Sequence, residues 1–181
     1  MGRTSLKSIA AEVRDCQLCP LAKGRTKAVP GEGPLDARIM LVGEAPGKDE
    51  DLSGKPFVGR AGKLLNSVLE TVGAERDDVF VTNVVKCRPP NNRLPTMKER
   101  DTCRDAYFNR QTETLEPKLV VLLGRTAAQA VLGADSLGMV RGKIITQRMT
   151  KYLCTYHPAA VLRNPKLREV MIEDLRLIRS A

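Results

Sequence analysis

Short apolar segments alternate with helical patterns along this 181-residue chain, and this alternation narrows the possible folds more than any other feature. Four segments are predicted to be buried strands: 38–47, which Gly43 interrupts, 79–85, 119–124 and 152–156. Their aliphatic and β-branched residues run without polar alternation, as in parallel strands that are covered on both faces. The sequence therefore predicts an α/β fold, namely a single three-layer α/β/α domain over residues 1–181 with a central, mainly parallel four-stranded sheet.

Helical patterns and loops separate these strands. Apolar spacing and end signals predict helices over 3–15 and 61–72, from Thr96 to about Glu116, over 125–132, and from Pro165 to 178. Residues 16–36 and 86–95 are rich in proline, glycine and polar residues and are predicted to be loops. The stretch around Ile144 is predicted to be the arm of a hairpin.

Polar residues lie at the carboxyl ends of the predicted strands. Gly43 and Glu44 lie where the first strand gives way to a turn, Asn83 lies near the end of the second, and Tyr156 and His157 lie at the end of the fourth. Parallel strands share one carboxyl edge, and open α/β sheets bind their ligands there. A lone histidine is often structural, but the position of His157 at this edge favours a functional role.

The cysteines indicate metal chemistry. Cys16 and Cys19 form a C-x-x-C pair, and Cys87 and Cys103 come from a distant part of the chain. Four thiolates from two segments suit either a tetrahedral zinc ion or a [4Fe–4S] cluster, and the spacing alone does not separate the two. Cys154 alternates with strand residues and is predicted to be an ordinary buried thiol.

Charge and hydropathy narrow the class of partner. The 30 lysines and arginines exceed the 21 acidic residues, a net charge of +9, which favours a polyanion such as nucleic acid. No apolar run is long enough to span a membrane, and Glu12 and Asp15 interrupt the only candidate signal sequence. The protein is therefore predicted to be cytoplasmic and associated with the nucleoid, without a signal peptide or a membrane partner.

The glycine-rich segment 43–62 raises the question of nucleotide binding. Gly54 and Gly59 have the spacing of a Walker A loop, but the lysine and hydroxyl residue that such a loop requires do not follow them. A phosphate-binding NTPase loop is therefore not supported. The segment also holds Glu44, Glu50 and Phe57, which are either site residues or solvated carboxylates and a core anchor.

Four motifs and the four cysteines together resemble the iron–sulfur "family four" branch of the uracil-DNA glycosylase superfamily. The motifs are GEAPG (43–47) with Glu50 and PFVGRAG after it, TNVVKCRPPNNR (82–93), LVVLLGRTAAQAVLG (119–133) and TYHPAAVLRNP (155–165). The resemblance covers nearly the whole chain. It implies that Cys16, Cys19, Cys87 and Cys103 hold a [4Fe–4S] cluster with a structural role.

The resemblance also implies a uracil site. Uracil would lie against Phe57 and the backbone of Gly43, Glu44 and Ala45, and Asn83 would read its N3–H and O4. His157 would bond to O2 as a catalytic group, and Glu50 would lie near C5. Ala45 stands where the best-known relatives carry a catalytic aspartate, so water activation is assigned to Glu50 in preference to Glu44. Val161, Leu162 and Arg163 would enter the base stack and contact phosphate.

The implied function is the hydrolysis of the N-glycosidic bond of uracil in single- or double-stranded DNA, which leaves an abasic site. No lysine suited to a β-lyase step stands out, so a monofunctional enzyme is expected, acting as a monomer. A sliding clamp is a possible partner that the sequence does not test. The alternatives are a non-enzymatic iron–sulfur or zinc module that binds nucleic acid, and a soluble electron carrier.

Overall fold

The computed structural model of the protein describes residues 5–180. Within that range the helices are α1 (Leu6–Asp15), α2 (Leu21–Gly24), α3 (Lys48–Ser53), α4 (Arg60–Thr71), α5 (Met97–Cys103), α6 (Asn109–Leu115), α7 (Arg125–Leu132), α8 (Leu137–Val140), α9 (Pro158–Arg163) and α10 (Leu167–Leu175). The strands are β1 (Ile39–Gly43), β2 (Val79–Asn83), β3 (Leu119–Leu123), β4 (Ile144–Gln147) and β5 (Thr150–Thr155). Short 3-10 turns lie at 76–78, 90–92 and 176–180. No helix among the described residues is long and apolar enough to cross a membrane.

The sheet has the order β2-β1-β3-β5-β4, and its first four strands are parallel. The predicted α/β class and mainly parallel sheet are confirmed, but the count of four strands is wrong. Residues 144–147 form a fifth strand, which pairs antiparallel with β5 from Ile144 opposite Leu153 to Gln147 opposite Thr150. This edge strand is mostly exposed, so it lacks the continuous apolar run by which the other strands were recognised.

Helices cover both faces of the sheet, as the three-layer prediction requires. Successive strand residues point to opposite faces. On one face Leu41, Val81 and Val121 pack with apolar residues of α4, α9 and α10. On the other face Met40 and Val120 pack with residues of α1, α6 and α7. Cys154 is fully buried in this second layer, as predicted.

The predicted helices are present in the structure, but several of them begin or end at other residues than predicted. The first helix begins at Leu6 because the Ser5 hydroxyl accepts from the backbone N–H of Ser8, while residues 3 and 4 lie outside the described part. The predicted helix 96–116 is α5 and α6 joined by a π-helical segment at 104–108. The short helices α2, α3, α8 and α9 were not predicted, and the last helix begins at Leu167 rather than at Pro165.

The strand order places a ligand-binding position beside β1. The chain runs from β1 to β2 on one side of β1 and then crosses over to β3 on its other side, so the strand order reverses at β1. In open α/β sheets the crevice for ligands lies at such a switch point, beyond the carboxyl ends of the strands. In this chain those ends are Gly43, Asn83, Leu123 and Thr155.

Candidate active site

A cavity of about 660 Å³ opens at the carboxyl ends of the parallel strands. The predicted site residues Glu44, Ala45, Glu50, Phe57, Asn83, His157 and Arg163 all line it. Gly43 lies directly beneath, because a methyl group at its Cα would collide with Asn83 Oδ1 and with the Phe57 ring. Residues that are widely separated along the chain therefore meet at this edge of the sheet.

Phe57 is held in a conformation that costs free energy. Its φ is +53°, in the left-handed region that residues other than glycine rarely adopt. The start of α4 packs against it so closely that a methyl group on Gly62 would collide with the Phe57 carbonyl. The ring is 7% exposed, and its centroid lies 5.8 Å from that of the His157 ring at an interplanar angle of 34°. One aromatic face is thus fixed beside the imidazole.

The Glu50 carboxylate holds the loop that carries Phe57. Its Oε1 accepts from the backbone N–H groups of Val58 and Gly59, both at 2.9 Å, and its Oε2 accepts from that of Gly47 at 3.1 Å. One carboxylate therefore ties the turn before α3 to the turn that follows Phe57. Both of its oxygens are occupied, so this geometry does not support the preference for Glu50 as the water-activating group.

Glu44 differs from Glu50 in this respect. It is half-buried at the end of β1 and lines the cavity. Its carbonyl accepts from Val85 N–H, but its carboxylate has no hydrogen bond or ion pair with any of the residues 5–180. Glu44 is therefore the carboxylate of the cavity that remains available to a ligand or to water.

Asn83 carries an acceptor without a partner. The residue is 2% exposed, and its Oδ1 has no hydrogen bond within the described structure. A buried amide oxygen without a partner costs about 1–3 kcal/mol, so such groups usually meet a ligand or water. The cavity offers Asn83 Oδ1 to a ligand that carries an N–H donor.

Lys86 holds the backbone of Asn83 from below. It is 1% exposed, and its ammonium donates to the Asn83 carbonyl and to Thr82 Oγ1, both at 2.7 Å, and to Gln111 Oε1 at 2.5 Å. Burial lowers the pKa of Lys86 to about 7. This residue was not recognised from the sequence, where it reads as one more surface cation in a basic loop.

His157 is positioned to act as a neutral donor. Its Nδ1 accepts from the backbone N–H of Ala159 at 3.1 Å and so caps α9. Since a nitrogen that accepts carries no proton, the neutral ring bears its proton on Nε2. Burial, followed by the positive charge of Arg163, lowers the pKa of His157 to about 4. Gly124 permits this placement, because its Cα lies against the histidine side chain.

The rim of the cavity carries cations and an apolar side chain that the sequence analysis missed. Arg125 follows Gly124 directly at the end of β3, and Arg93 and Leu94 come from the loop after β2. Arg93 is paired with Glu99, whereas Leu94 is 68% exposed. The rule that ligands bind at strand ends, applied to β3, would have identified Arg125.

The three predicted wedge residues differ in exposure. Val161 is 2% exposed and packs in the core layer under α9, so it cannot enter a base stack without leaving that core. The assignment of Val161 as a wedge is therefore corrected. Leu162 is 38% exposed and Arg163 is exposed at the cavity rim, so both remain accessible to DNA.

The four predicted ligand cysteines meet at a second, smaller cavity. Cys16 and Cys19 precede α2, Cys87 follows β2, and Cys103 ends α5. The amide of Lys86 lies 3.3 Å from Cys103 Sγ and that of Leu18 3.5 Å from Cys16 Sγ, and Arg25 donates to Cys87 Sγ at 3.1 Å.

An all-sulfur donor set with N–H groups directed at it fits an iron–sulfur cluster, whose properties depend on such hydrogen bonds. No three Cys, His, Asp or Glu side chains in the described range are arranged to hold a single metal ion. Burial raises the pKa of the Cys103 thiol to about 12. Burial also raises the pKa of Cys87, although the hydrogen bond from Arg25 opposes the shift. These thiols therefore lose their protons when the iron of a cluster binds to their sulfur atoms.

Comparisons with known proteins identify the family of this chain. The family model described as the uracil DNA glycosylase superfamily matches residues 30–176. The chain is 48% identical to the type-4 uracil-DNA glycosylase of Saccharolobus solfataricus, over 98% of this chain and 86% of that protein. It is 47% identical to the type-4 enzyme of Archaeoglobus fulgidus (96% and 92% covered) and 44% identical to that of Thermotoga maritima (98% and 95% covered). The chain therefore belongs to the uracil-DNA glycosylase superfamily, and within it to the type-4 uracil-DNA glycosylases.

Proposed function

We propose that this protein is a uracil-DNA glycosylase that hydrolyses the N-glycosidic bond of a uracil flipped out of DNA. The observation that carries the proposal is the buried Oδ1 of Asn83, which has no partner and borders a cavity with one fixed aromatic face. Uracil supplies what this cavity lacks, namely a flat ring and an N3–H donor. The type-4 relatives support the same substrate. No observation favours a non-enzymatic binding module.

Asn83 accounts for the discrimination against cytosine. Its Oδ1 accepts from uracil N3–H, and its amide donates to uracil O4. Cytosine reverses both groups, with an acceptor at N3 and a donor at C4, so each atom of the amide would face a like partner. Buried polar groups left unpaired in this way reject the wrong ligand by large factors. Phe57 then stacks on the base, which contributes roughly 1–3 kcal/mol.

His157 stabilises the leaving group. As the glycosidic bond breaks, negative charge grows on uracil O2 and positive charge on the sugar. A fixed Nε2–H donor at O2 acts more strongly on that transition state than on the bound substrate. Because the pKa of His157 is lowered to about 4, the ring is neutral near pH 7, where Nδ1 accepts from Ala159 N–H and Nε2–H is left to donate to O2.

Glu44 is the group we assign to orienting the attacking water, and Glu50 is assigned to holding the Phe57 loop. We expect Glu44→Gln to lower kcat about 10²-fold, the order that such groups contribute, with little change in melting temperature. Glu50→Gln presents an NH2 group to backbone N–H groups that need an acceptor. The main effect of Glu50→Gln should therefore be a lower melting temperature. Single-turnover kinetics and thermal melts of both variants make the comparison, and the reverse pattern would exchange the two assignments.

The DNA is held by contacts that do not read its sequence. Flipping a nucleotide costs a few kcal/mol, which base stacking and backbone contacts offset. We assign Leu162, which is 38% exposed, to filling the vacated stack, and Arg163 and Arg125, which line the cavity, to contacting phosphate. We further propose that the protein acts as a monomer and as one domain, on single- or double-stranded DNA, and without a lyase step.

The [4Fe–4S] cluster is proposed to lie at the cysteine cavity and to cross-link the segment before α2 to β2 and α5. Replacing one ligand should remove that link. We expect Cys87→Ser to lose the absorbance near 400 nm and to melt at a lower temperature. The matched control is Cys154→Ser, which alters a fully buried thiol outside the cavity and should keep the absorbance. Unchanged absorbance in Cys87→Ser would exclude it as a ligand.

The activity is tested with oligonucleotides that carry one uracil, thymine or cytosine at the same position, using protein purified without oxygen. Incubation followed by alkali should cleave the strand at uracil only, and incubation without alkali should leave it intact. Cleavage without alkali would show a lyase step and contradict the monofunctional assignment. No cleavage by a preparation that retains its absorbance near 400 nm would overturn the proposed function.

A further inference from the structure

A groove, also of about 660 Å³, is lined by residues different from those of the uracil cavity. Its walls are the segment that follows the first cysteine pair and the end of α3. Four cations line it, namely Arg14, Arg25, Lys27 and Lys55. The carboxylate in its lining is Glu32, which is already paired with Lys55 at 3.3 Å and with Arg76 at 3.8 Å. The groove therefore carries excess positive charge.

Two of these cations are available to a ligand. Arg14 and Lys27 are exposed, and neither side chain has a hydrogen bond or an ion pair with any of the described residues. The backbone on either side of Lys27 is nevertheless fixed. Asp51 is 3% exposed, and its Oδ1 accepts from the N–H of Thr26 at 2.8 Å and, more distantly, from that of Lys27 at 3.4 Å. The groove thus presents unpaired charges on an ordered frame.

The cysteine site adjoins this groove, since Ala22 lines both. The Arg25 guanidinium donates to Cys87 Sγ at 3.1 Å and to the Arg14 carbonyl at 2.8 Å, so it joins the sulfur site to the end of α1. Farther along the same segment, Val29 N–H donates to the Lys86 carbonyl at 2.8 Å. The segment that carries the cations is therefore anchored on both sides to residues at or beside the cysteines.

A short stretch of backbone joins the groove to the uracil cavity. Gly54 and Lys55 line the groove, and Phe57, two residues farther on, lines the cavity. Because consecutive Cα atoms are about 3.8 Å apart, the two borders lie within roughly 8 Å along this strand of backbone. A polyanionic chain with one base in the cavity would therefore have only this short separation to cross to reach the groove.

We propose that this groove binds the phosphates of the uracil-containing strand on one side of the flipped nucleotide, with Arg14 and Lys27 as its contacts. The segment anchored at the cysteine site then has a defined task, which is to hold these cations in register with the cavity. The identity of the ligand rests on the proposed function. Phosphate contacts of this kind hold the DNA in place without reading its sequence.

The test is a charge-reversal pair, Arg14→Glu with Lys27→Glu, made in the full chain with its cluster. The matched control is Lys118→Glu with Lys151→Glu, two exposed lysines at the amino ends of β3 and β5, on the opposite edge of the sheet. Both pairs change the net charge equally. Binding of a labelled oligonucleotide without uracil is measured by anisotropy over a range of salt concentrations, and excision is measured on single-uracil oligonucleotides.

We expect the groove pair to weaken binding at least tenfold at low salt, and the control pair less than twofold. The slope of log Kd against log salt should fall by about 1.4–1.8, the value for two lost phosphate contacts. At saturating DNA kcat should stay within twofold of the wild-type value. If both pairs weakened DNA binding equally, or if the groove pair did not weaken it, the proposal would be overturned. The cations of the groove would then serve an acidic partner other than DNA.

Trimming the DNA locates the groove relative to the uracil. One oligonucleotide ends at the uracil nucleotide on its 5′ side and another on its 3′ side. Only one of them retains the phosphates that reach the groove, so the effect of the groove pair on kcat/KM should differ between them. On one of them the wild type and the groove pair should have the same kcat/KM, and on the other their difference should persist. The same difference on both would overturn the assignment to one side. Binding of DNA without uracil is measured separately from excision. An absence of excision would therefore overturn the proposed function, while the binding comparison of the groove pair with the control pair would still test the groove.

Discussion

Asn83→Asp is expected to lower uracil excision about 10³-fold. The substitution keeps the shape of the side chain but replaces the amide donor by a second acceptor, which then faces uracil O4. The carboxylate would lie in a position that is 2% exposed, where an unpaired charge is more costly than an unpaired amide. Any base excision that the variant gains should fall on cytosine, whose C4 amino group donates, and not on thymine.

The control for this variant is Asn66→Asp. Asn66 Oδ1 is the other buried side-chain oxygen without a partner among the described residues, but it does not line the uracil cavity. The two variants therefore make the same chemical change at similarly unpaired oxygens. Excision of uracil, cytosine and thymine by both is compared at equal cluster absorbance. Unchanged selectivity in Asn83→Asp, or an equal loss in Asn66→Asp, would contradict the assignment of Asn83.

The buried parts of the fold were predictable because burial leaves a strong pattern. The runs 79–85 and 119–124 are dominated by aliphatic and β-branched residues because helices cover both sides of the sheet, and both contain strands. The edge strand β4 has one covered neighbour and much exposed surface, so its residues were free to be polar. Short helices such as α3 and α9, of six residues each, lie within loop motifs whose glycine and proline residues predict a loop.

Site residues could be predicted from the sequence where the type of side chain and its position at a strand end together indicate a chemical role. Asn83 and His157 stand at strand ends, and the structure brings both to the same cavity. Glu50 and Val161 show where such reasoning ends. The sequence shows a carboxylate and an apolar side chain in suitable loops, but the backbone N–H groups around Glu50 and the core around Val161 exist only after folding. Long-range packing decides between a reactive and a structural role.

His157→Asn is expected to lower kcat for uracil excision about 10²–10³-fold with little loss of stability. An asparagine side chain places an oxygen near the position of the imidazole Nδ1, so it can accept from Ala159 N–H and keep the cap of α9. It has no donor at the position of Nε2, so the charge on uracil O2 loses its partner. Removing one such donor typically costs this factor in other enzymes.

The matched variant is His157→Gln, whose longer amide reaches the Nε2 position but caps the helix poorly. It should retain more activity than His157→Asn and melt at a lower temperature. Single-turnover rates and thermal melts of the two variants separate the donor from the cap. If His157→Asn excised uracil at nearly the wild-type rate while folded, the role of the imidazole at O2 would be wrong.

The pH dependence provides an independent measurement of the same role. Because burial lowers the pKa of His157 to about 4, the ring is neutral from pH 5.5 to 8 and its contribution to kcat should be constant there. A mechanism that needed a cationic imidazole would instead lose rate as the pH rose through that range. The unfolded chain binds a proton near pH 6.5 and the folded chain only near pH 4. The wild type should therefore lose stability as the pH falls from 6.5 to 4. His157→Asn lacks this proton linkage and should lose less, which ties the kinetic role of the ring to the burial that keeps it neutral.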